Sequence, residues 1–586
     1  MTRTSPSRAR RCTLALLLAL GLLLPAACVR LPVSGPVVET RSEGNLNSEP
    51  GIYIDPKPPQ PGDSAPDIVK GFLDAMTATP IQTTVAKQFL APDAQASWNP
   101  ELGTITYADA SPPRGGSRVT VTLSGADRLD ARGGWRGPLS RSEETLTFPM
   151  VLVDGELRIA DAPDALIVPE SWFEQRFRQV SLYFFDPTAR ILVPEPVFVP
   201  RGTQLATSLI KGLLRGPGRE LDRVSRSFIP AGLTFGLSVP VSADGVADIS
   251  LRGEAAQQTP QAIELMLAQF AWTLRQEPAI RALRLSIAGQ LIQLPGGASE
   301  IGVNEGAEYD PTGDDASDQL FGLRDGKLVT GSSAALEEVL DGPLGVKRYG
   351  IASVAVNLRA TTVAAVSGNG SAVLLAPVRG RDDVLEVLSG ADNLLTPAWD
   401  YANRLWVVDR TPSGARVTFL EDEAARRVEV PGVSGRRVRS FLVSRDGSRF
   451  VAVVRTASGD KILVSRIRYD DQGRVLQVEP AERIAWQGSG RLDIRAVEWW
   501  TPTTVAVLHA LTDELFQVRT IAVDGSPPGL SSLSTTLRGR IRSLAGSPVP
   551  GESLYAITRS SLIDLSNADR GNSELDPTVR ALTYVG

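Results

Sequence analysis

The chain has 586 residues, a formal net charge of −5, and ordinary fractions of hydrophobic (42%) and charged (22%) residues. This length is enough for about three globular domains, and the slightly acidic balance gives no reason to expect nucleic-acid binding. His509 is the only histidine, which argues against a histidine-based catalytic triad or a multi-histidine metal site. It shares one face of a predicted strand with Val505 and Val507, so a structural role is expected. The sequence predicts no catalytic residue, no cofactor and no metal.

The N-terminus has the pattern of an export signal. Basic residues up to Arg11 precede an apolar run from Leu14 to Leu24, and small residues then lead to Cys28. A basic segment, a short apolar segment and small residues before a processing point are typical of a secretory signal peptide. The apolar run is too short to span a bilayer comfortably. Residues 1–27 are therefore predicted to be a signal peptide.

A cysteine directly after two alanines resembles the lipobox of bacterial lipoproteins, although Pro25 stands where that family prefers leucine. The resemblance implies cleavage after Ala27 and attachment of S-diacylglycerol and N-palmitoyl groups to Cys28. The protein would then be anchored at the extracytoplasmic face of the cell membrane. Cys28 would be the only cysteine of the processed chain, which excludes a disulfide within it. The alternatives are a secreted protein with an unmodified cysteine and a signal retained as a membrane anchor.

Residues 28–62 are rich in proline, serine, glycine and glutamate, and they include the proline-rich run 56–61. This composition buries little apolar surface, so the segment is predicted to be a disordered tether. We expect the tether to act as a spacer, because a lipid-anchored protein needs one between the membrane and its first domain. A leader without a role is the alternative.

Residues 63–175 are predicted to form an α+β module. Ser64 is placed to cap a helix that has Pro66 in its first turn, and Asp154-Gly155 is placed to turn a hairpin. Apolar residues at helical spacing mark this helix (Ile68, Phe72, Leu73, Met76) and a second one (Val85, Phe89, Leu90). Two helices before an antiparallel sheet, with the phrase 68–75, resemble the fold of nuclear transport factor 2. Without a histidine in this segment, the resemblance implies a binding or spacer module.

Residues 176–298 are predicted to form a second α+β module. A strand from Ser181 is expected to pair with a strand over 192–199, and Thr259-Pro260 is expected to open a long helix. Four phrases resemble the GerMN domain of sporulation and cell-envelope proteins. They lie at 213–217, 229–232, 248–250 and 269–274. The resemblance implies a binding domain without catalytic residues.

Residues 299–318 are predicted to be an acidic, solvated linker, because their carboxylates do not fit a calcium-loop template. Residues 319–586 are predicted to form an all-β propeller of about six blades. A repeat of strand, polar turn and strand starts at residues 353, 396, 440, 496 and 543, at spacings of 43 to 56 residues. That spacing is the length of a four-stranded blade. A further blade is expected from 319–350, closed by a strand from the C-terminus.

The order of lipobox, helix–sheet module, GerMN unit and propeller resembles the LpqB lipoprotein family of actinobacteria. The resemblance implies an accessory protein that binds the extracellular domain of a sensor histidine kinase of the MtrB type. It would modulate a two-component system that governs cell-wall growth and division. Cell-wall components are a further candidate partner. The residues themselves indicate the same general class, a tethered and non-catalytic binding protein at the membrane surface.

Two other classes stay open. A propeller enzyme, such as a glycosidase or lyase, would need suitably placed carboxylates. The candidates are Asp382, Asp383, Asp400, Asp409 and Glu498. A structural protein that binds wall glycan would stack sugars on exposed tryptophans. The candidates are Trp399, Trp406, Trp499 and Trp500. Turn or rim positions for the carboxylates and packed positions for the tryptophans are the structural interpretation of the same residues.

The lipid anchor can be tested with Cys28→Ala. Loss of the thiol should stop lipid attachment, because the thiol is the group that carries the diacylglyceryl chains. Without acyl chains the variant should lose its membrane affinity, since each buried CH₂ contributes ~0.8 kcal/mol to membrane binding. Partition in Triton X-114 measures the effect: the wild-type protein should enter the detergent phase and the variant the aqueous phase. A processed variant that still partitions with detergent would contradict the lipoprotein interpretation.

Overall fold

The computed structural model describes residues 56–586, with gaps at 80, 203, 255–257, 295, 313–314, 423, 487–489, 528, 530–531 and 568–570. The predicted signal peptide, Cys28 and most of the predicted tether lie outside the described residues. Within the described part of the chain, no helix is long and apolar enough to cross a membrane. The described residues belong to one compact unit, which contains three domains.

The first domain begins with helix α1, Ala65–Ala75. The Ser64 side chain caps this helix by accepting a hydrogen bond from the Asp67 N–H, as the sequence predicts. The four apolar residues of the predicted stripe are buried. The Phe72 ring contacts the rings of Trp98 and Phe148 at centroid distances of 5.3 and 6.0 Å. This contact joins α1 to the domain's core.

The second predicted helix is shorter than expected. Helix α2, Thr84–Lys87, ends before Phe89 and Leu90, because Leu90 pairs with Ile159 of a strand instead of continuing the helix. A third helix, α3 at Pro92–Ser97, was not predicted. Its proline in the first turn is a helix-start signal that the sequence analysis missed.

The strands of the first domain are β1 Gly103–Tyr107, β2 Asp109–Ala110, β3 Arg114–Gly115, β4 Arg118–Ser124, β5 Asp127–Asp130, β6 Trp135–Pro138, β7 Thr145–Val153, β8 Glu156–Ile159 and β9 Leu166–Pro169. They form two sheets, in the orders β6-β5-β1-β9 and β2-β4-β7-β8, with β3 paired to β4. Asp154 and Gly155 have φ angles of 53° and 83° and turn β7 into β8, which confirms the predicted hairpin. The likeness to nuclear transport factor 2 stays a prediction.

The second domain combines an antiparallel hairpin, a mixed sheet and two main helices. Helix α4, Glu170–Arg176, leads into it and buries Trp172 and Phe173 in the core of the first domain. The elements of the second domain are β10 Phe177–Phe185, β11 Leu192–Pro200, α5 Leu205–Leu214, β12 Thr234–Phe235, β13 Val246–Arg252, α6 Pro260–Leu274, β14 Ala282–Ile287, β15 Gln290–Leu291 and β16 Ile301–Gly302. Strands β10 and β11 pair along their whole length, as predicted. Strands β13 and β14 are parallel and are connected through α6, the predicted long helix, which Thr259 caps.

Buried polar residues fix α6 against its neighbours. Gln269 is fully buried, accepts a hydrogen bond from the Phe228 N–H at 3.0 Å and donates one to Ser227 at 3.2 Å. Thr273 accepts a hydrogen bond from the Tyr183 N–H in β10 at 3.2 Å. Both lie in the phrase 269–274 that carries the GerMN resemblance, so these residues hold the fold together.

The segment 299–318 differs from the expected solvated linker. Strand β16 pairs with β14 and buries Ile301 in the core of the second domain. The Tyr309 ring lies edge-on to Phe185 at 5.1 Å. The acidic residues dominate the composition of the segment, but its few apolar residues decide where it lies.

The third domain is a six-bladed propeller, and the described residues supply one sheet of at least four strands for each blade. Blade 1 contains β17 Leu320–Arg324, β18 Lys327–Gly331, β19 Leu336–Glu338 and β41 Val579–Thr583. Blade 2 contains β20 Ile351–Val356, β21 Thr362–Ser367, β22 Val373–Pro377 and β23 Leu385–Leu388. Blade 3 contains β24 Ala398–Trp399, β25 Leu405–Thr411, β26 Gly414–Glu421 and β27 Ala424–Val428.

Blade 4 contains β28 Val438–Val443, β29 Arg449–Thr456, β30 Gly459–Tyr469, β31 Val475–Val478 and the short β32 Glu482–Arg483. Blade 5 contains β33 Ile494–Thr501, β34 Thr504–Ala510, β35 Leu515–Ala522 and β36 Ser534–Arg538. Blade 6 contains β37 Ser543–Gly546, β38 Leu554–Ile557, β39 Ser561–Asp564 and β40 Asn572–Glu574. A short helix, α7 Pro343–Val346, lies between blades 1 and 2. All five predicted repeats coincide with the first two strands of a blade.

The C-terminal strand closes the ring. Strand β41 pairs antiparallel with β17, and it contacts the innermost strands β20 and β37 of the two neighbouring blades. Val579, Leu582 and Tyr584 are buried there with Leu320 of the first strand of the domain. This confirms the predicted closure of the first blade by the C-terminus.

Ring closure can be tested with Leu582→Ala. The side chain is 5% exposed between the two ends of the domain, so its truncation should lower the free energy of unfolding by about 2–5 kcal/mol. The matched control is Leu385→Ala in the outer strand β23, where the side chain is 47% exposed and the change should be about 0.5 kcal/mol or less. Urea unfolding followed by tryptophan fluorescence measures both. Equal small effects would show that the closing strand does not support the ring.

Candidate functional site

The propeller has two faces, and the second domain covers one of them. We call the covered side the docked face. It carries two turns of each blade: the turn from the first strand to the second, and the turn from the third strand to the fourth. The open face carries the turns between the second and third strands and the connections from blade to blade. Every hydrogen bond described below between the second domain and the propeller lies on or beside the docked face.

The docked face contains a buried carboxylate that contacts two arginines of blade 4. Arg449 of β29 and Arg466 of β30 are direct cross-strand partners in blade 4. Glu195 of β11 accepts hydrogen bonds from Arg466 through both carboxylate oxygens at 2.7 Å and from Arg449 at 3.1 Å. Like charges opposite each other destabilise a strand pair, so the carboxylate supplies the charge that this pair requires.

The surroundings of Glu195 favour its ionised form. Burial by itself would raise the pKa of this carboxyl, but the Arg466 and Arg449 guanidinium groups outweigh it and hold the pKa below its ordinary value. Arg449 is fully buried and also donates to the Pro194 carbonyl at 2.6 Å. The prolines on either side of Glu195 have no N–H to satisfy, which suits a strand with only one partner.

Further contacts surround this ion cluster. The Tyr401 hydroxyl donates to Asp186 at 2.8 Å, and the Tyr469 N–H donates to the Arg223 carbonyl at 2.8 Å. Gln179 donates to Ser526 at 2.9 Å on another blade. These bonds involve blades 3, 4 and 5, so the second domain and the propeller form one rigid pair.

The first domain attaches mainly to the second. The Phe198 N–H donates to the Gly133 carbonyl at 2.8 Å, and a β-carbon at residue 133 would lie 2.0 Å from the Phe198 carbonyl oxygen. Gly133 has φ 86°, so only glycine fits this approach without strain. Arg132 and Arg136 both form ion pairs with Glu220 of the second domain. A small cavity of about 190 Å³ lies where the three domains meet, lined by charged side chains of each.

Four of the five candidate carboxylates have structural or surface positions. Asp400 is buried in a turn, where it accepts hydrogen bonds from the N–H groups of residues 402 and 404 and from the side chains of Arg404 and Trp406. Asp409 accepts from the N–H groups of residues 392 and 393. Asp382 and Asp383 are exposed in the turn between β22 and β23.

Glu498 is the remaining candidate. It lies on β33, the inner strand of blade 5, and burial raises its pKa to about 7, with Arg445 acting in the opposite direction. Burial lowers the pKa of Arg445 to about 10, and this guanidinium donates to the Gly546 carbonyl at 3.1 Å. A glycosidase needs a pair of carboxylates, whereas the charged group that acts on Glu498 is a cation. Arg445 is the charge that acts on Glu498, at a distance longer than that of a direct ion pair.

The candidate tryptophans pack inside the propeller. Trp399 and Trp499 occupy equivalent positions in blades 3 and 5, and each donates to a carbonyl of the preceding blade, at 3.2 Å to Ala355 and 2.9 Å to Val443. Trp406 is fully buried, and Trp500 packs against the core between blades 5 and 6. Three of these rings are therefore occupied by inter-strand packing, which leaves no stacking surface for sugars on them.

His509 is a packed residue, as expected. It is 6% exposed, its Nε2 lies 3.0 Å from the Gln517 amide oxygen, and burial lowers its pKa. The Trp486 ring lies edge-on to it at 4.9 Å. Across residues 56–586, with the gaps given above, no group of three metal-ligating side chains is found.

A recess on the open face was not anticipated from the sequence. It has a volume of about 720 Å³, and we call it the arginine recess. Its lining residues are Asn393, Arg410, Thr411, Pro412, Gly414, Ala415, Arg436, Arg437, Val438, Arg439 and Arg455. They come from the turn between β25 and β26, the connections into blades 3 and 4, and the end of β29. The arginine-rich run 436–439 could have indicated this recess. Arginine supplies nearly all the positive charge of the chain, so this run does not differ clearly from other segments.

The docked face can be tested with Glu195→Gln. The neutral side chain leaves the buried Arg449 and the half-buried Arg466 opposite each other without their shared carboxylate, so the free energy of unfolding at pH 7 should fall by about 3 kcal/mol. Because the folded-state pKa of Glu195 is lowered, its contribution is present above the unfolded pKa of about 4.3 and is lost as the pH falls through the folded value. The difference between the variant and the wild type should therefore shrink in acid.

The matched control is Glu101→Gln, which removes an exposed inter-domain ion pair with Lys211 and should cost about 1 kcal/mol or less. Chemical unfolding at several pH values measures both variants. A Glu195→Gln protein as stable as the control would contradict the role of the ion cluster.

Three family models match the chain, one for each domain. The model for the lipoprotein LpqB N-terminal domain matches residues 58–174, a sporulation and spore germination model matches 181–293, and the LpqB beta-propeller model matches 326–571. These matches confirm the predicted GerMN-type domain and propeller. They do not bear on the likeness of the first domain to nuclear transport factor 2.

Relatives of similar length share the same name. Lipoprotein LpqB of Thermobifida fusca is 28% identical over 540 residues, which is 80% of this chain and 85% of the relative. Lipoprotein LpqB of Streptomyces coelicolor is 26% identical over 551 residues (87% and 88%), and that of Mycobacterium tuberculosis is 27% identical over 559 residues (87% and 88%).

Solved structures resemble single parts of the chain. TolB from Acinetobacter baumannii covers 60% of this chain and 99% of its own, with 12% identity and a TM-score of 0.32. The tandem GerMN domains of GerM from Bacillus subtilis cover 22% of this chain and 45% of their own, with 22% identity and a TM-score of 0.18. The family assignment rests on the domain models and on the relatives that match most of the chain. On that basis the chain belongs to the LpqB lipoprotein family.

Proposed function

We propose that this protein is an extracytoplasmic, membrane-anchored lipoprotein that binds the extracellular domain of a sensor histidine kinase and modulates it. By family resemblance the kinase is of the MtrB type, within a two-component system that controls cell-wall growth and division. The observation that carries the proposal is the rigid attachment of the second domain to one propeller face. It leaves the open face as the broad, preformed surface available to a partner.

The candidate residues support binding rather than catalysis. The tryptophans that could stack glycan are mostly packed between blades, and four of the five carboxylates are turn or surface groups. Burial raises the pKa of Glu498, and the charged group that acts on it is the cation Arg445. A propeller face can supply an interface of standard size, with ~1,600 Å² buried in total. Binding to a protein domain at the membrane surface needs no more than this surface and an anchor.

The test uses the full chain, purified from membranes in detergent, and the kinase reconstituted in proteoliposomes. We expect binding to the kinase's extracellular domain with a Kd of about 1 μM or tighter, equivalent to about −8 kcal/mol. We also expect a changed level of kinase autophosphorylation, and no turnover of glycosides, esters or peptides. The extracellular domain of an unrelated sensor kinase is the control. Absence of binding, together with turnover that Glu498→Gln abolishes, would replace the proposal with an enzyme.

A further inference from the structure

We propose that the arginine recess on the open face is the docking site for an acidic segment of a protein partner. The identity of that partner as a sensor kinase rests on the proposed function above, but the chemistry of the recess does not.

The recess holds five arginines and no carboxylate among its lining residues. Arg439 and Arg455 are neutralised by ion pairs with Asp460 and Asp493 behind them. The other three form no ion pair with a carboxylate in the part of the chain that the structure describes. Of these, Arg410 donates only to the neutral side-chain oxygen of Asn393, at 2.6 Å. The recess therefore presents about three unbalanced positive charges within a chain of net charge −5.

Arg436 and Arg437 are the two arginines of the recess that are best placed to bind an acidic segment. Both side chains are exposed at the rim, in the connection from blade 3 to blade 4. Guanidinium groups bind carboxylates through two parallel hydrogen bonds, so free arginines side by side suit a segment with several acidic residues. Neither forms an ion pair with a carboxylate of the described residues, so an anionic partner would supply their counter-charge.

The framework beneath these arginines is rigid. The Asp460 side chain is fully buried and accepts hydrogen bonds from Arg439 at 3.1 Å, from Arg455 at 2.5 Å and from the Ile494 N–H at 2.8 Å. The Ala415 N–H donates to the Arg436 carbonyl at 2.8 Å. Gly414, with φ 112°, lies so close to Gly435 that a β-carbon would be 2.2 Å from its carbonyl carbon. The turn and the connection are therefore fixed to each other before any partner binds, which lowers the entropic cost of binding.

The surface around the recess favours a protein over a membrane. Membrane-surface binding combines cationic groups with aromatic or aliphatic side chains that enter the headgroup region. The exposed large hydrophobic residues of the described chain include no aromatic residue, and none of them lines the recess. A concave site with ordered arginines suits an inserted acidic segment better than a flat array of lipid headgroups.

The test compares two pairs of charge reversals in the full chain. The recess variant is Arg436→Glu with Arg437→Glu. The matched control is Arg426→Glu with Arg427→Glu, on the exposed outer strand β27 of blade 3. The probe is a fluorescent oligoglutamate peptide, measured by anisotropy at low and high salt. We expect the recess variant to bind at least about tenfold more weakly than the wild type, because two attractive charges become repulsive. We expect the control to bind like the wild type, and salt to weaken wild-type binding.

The same proteins are then tested with vesicles of phosphatidylglycerol and phosphatidylcholine and with the kinase's extracellular domain. Equal oligoglutamate affinity in both variants, with unchanged melting temperatures, overturns the proposal. Loss of vesicle binding without loss of oligoglutamate binding in the recess variant overturns it in favour of a membrane contact. Loss of oligoglutamate binding in the recess variant alone supports it. If kinase binding is then absent in all three proteins, the recess stands as an acidic-peptide site and only the proposed function fails.

Discussion

The docking of the second domain on the propeller depends on one buried carboxylate. Arg449 and Arg466 face each other across two strands of blade 4, and Glu195 of another domain lies between them. Removing charges from water is expensive, so such a cluster adds little net stability but strongly disfavours any arrangement in which a partner is missing. Its effect is to select one docking geometry between the GerMN-type domain and the propeller. The hydrogen bonds from blades 3 and 5 then extend the same contact.

Fixing one face of the propeller determines what the other face can do. A free propeller would offer two broad surfaces and a central channel. Here the second domain covers the docked face, and Arg445 with Glu498 lies beside the axis. The open face is left with its turns and blade connections, which are the segments of a propeller that can vary without disturbing the blades. A partner that meets this protein therefore meets surface loops held by a rigid support.

The use of arginine serves both the core and the surface. In the docked face, buried guanidinium groups reach carbonyls and carboxylates of another domain. In the arginine recess, the same side chain is held from behind by Asp460 and Asp493 or left exposed at the rim. Arginine stays charged when buried and donates in a planar fork, so it suits both positions better than lysine would. The arginines at the rim differ from the buried ones because the described residues supply no carboxylate counter-charge for them.

Local patterns in the sequence determined the elements of this protein, and the tertiary structure decided how they meet. Ser64, Thr259 and Asp154-Gly155 act through hydrogen bonds and backbone angles within a few residues, so their helices and hairpin could be predicted. The blade repeat could be predicted because each copy buries the same strand pair. Helix α2 was overestimated because Leu90 pairs with a strand distant in the sequence. The Glu195 cluster and the arginine recess could not be predicted, since their charges come from separate domains or blade connections. Only the folded chain brings such residues together and shows which charges remain unpaired.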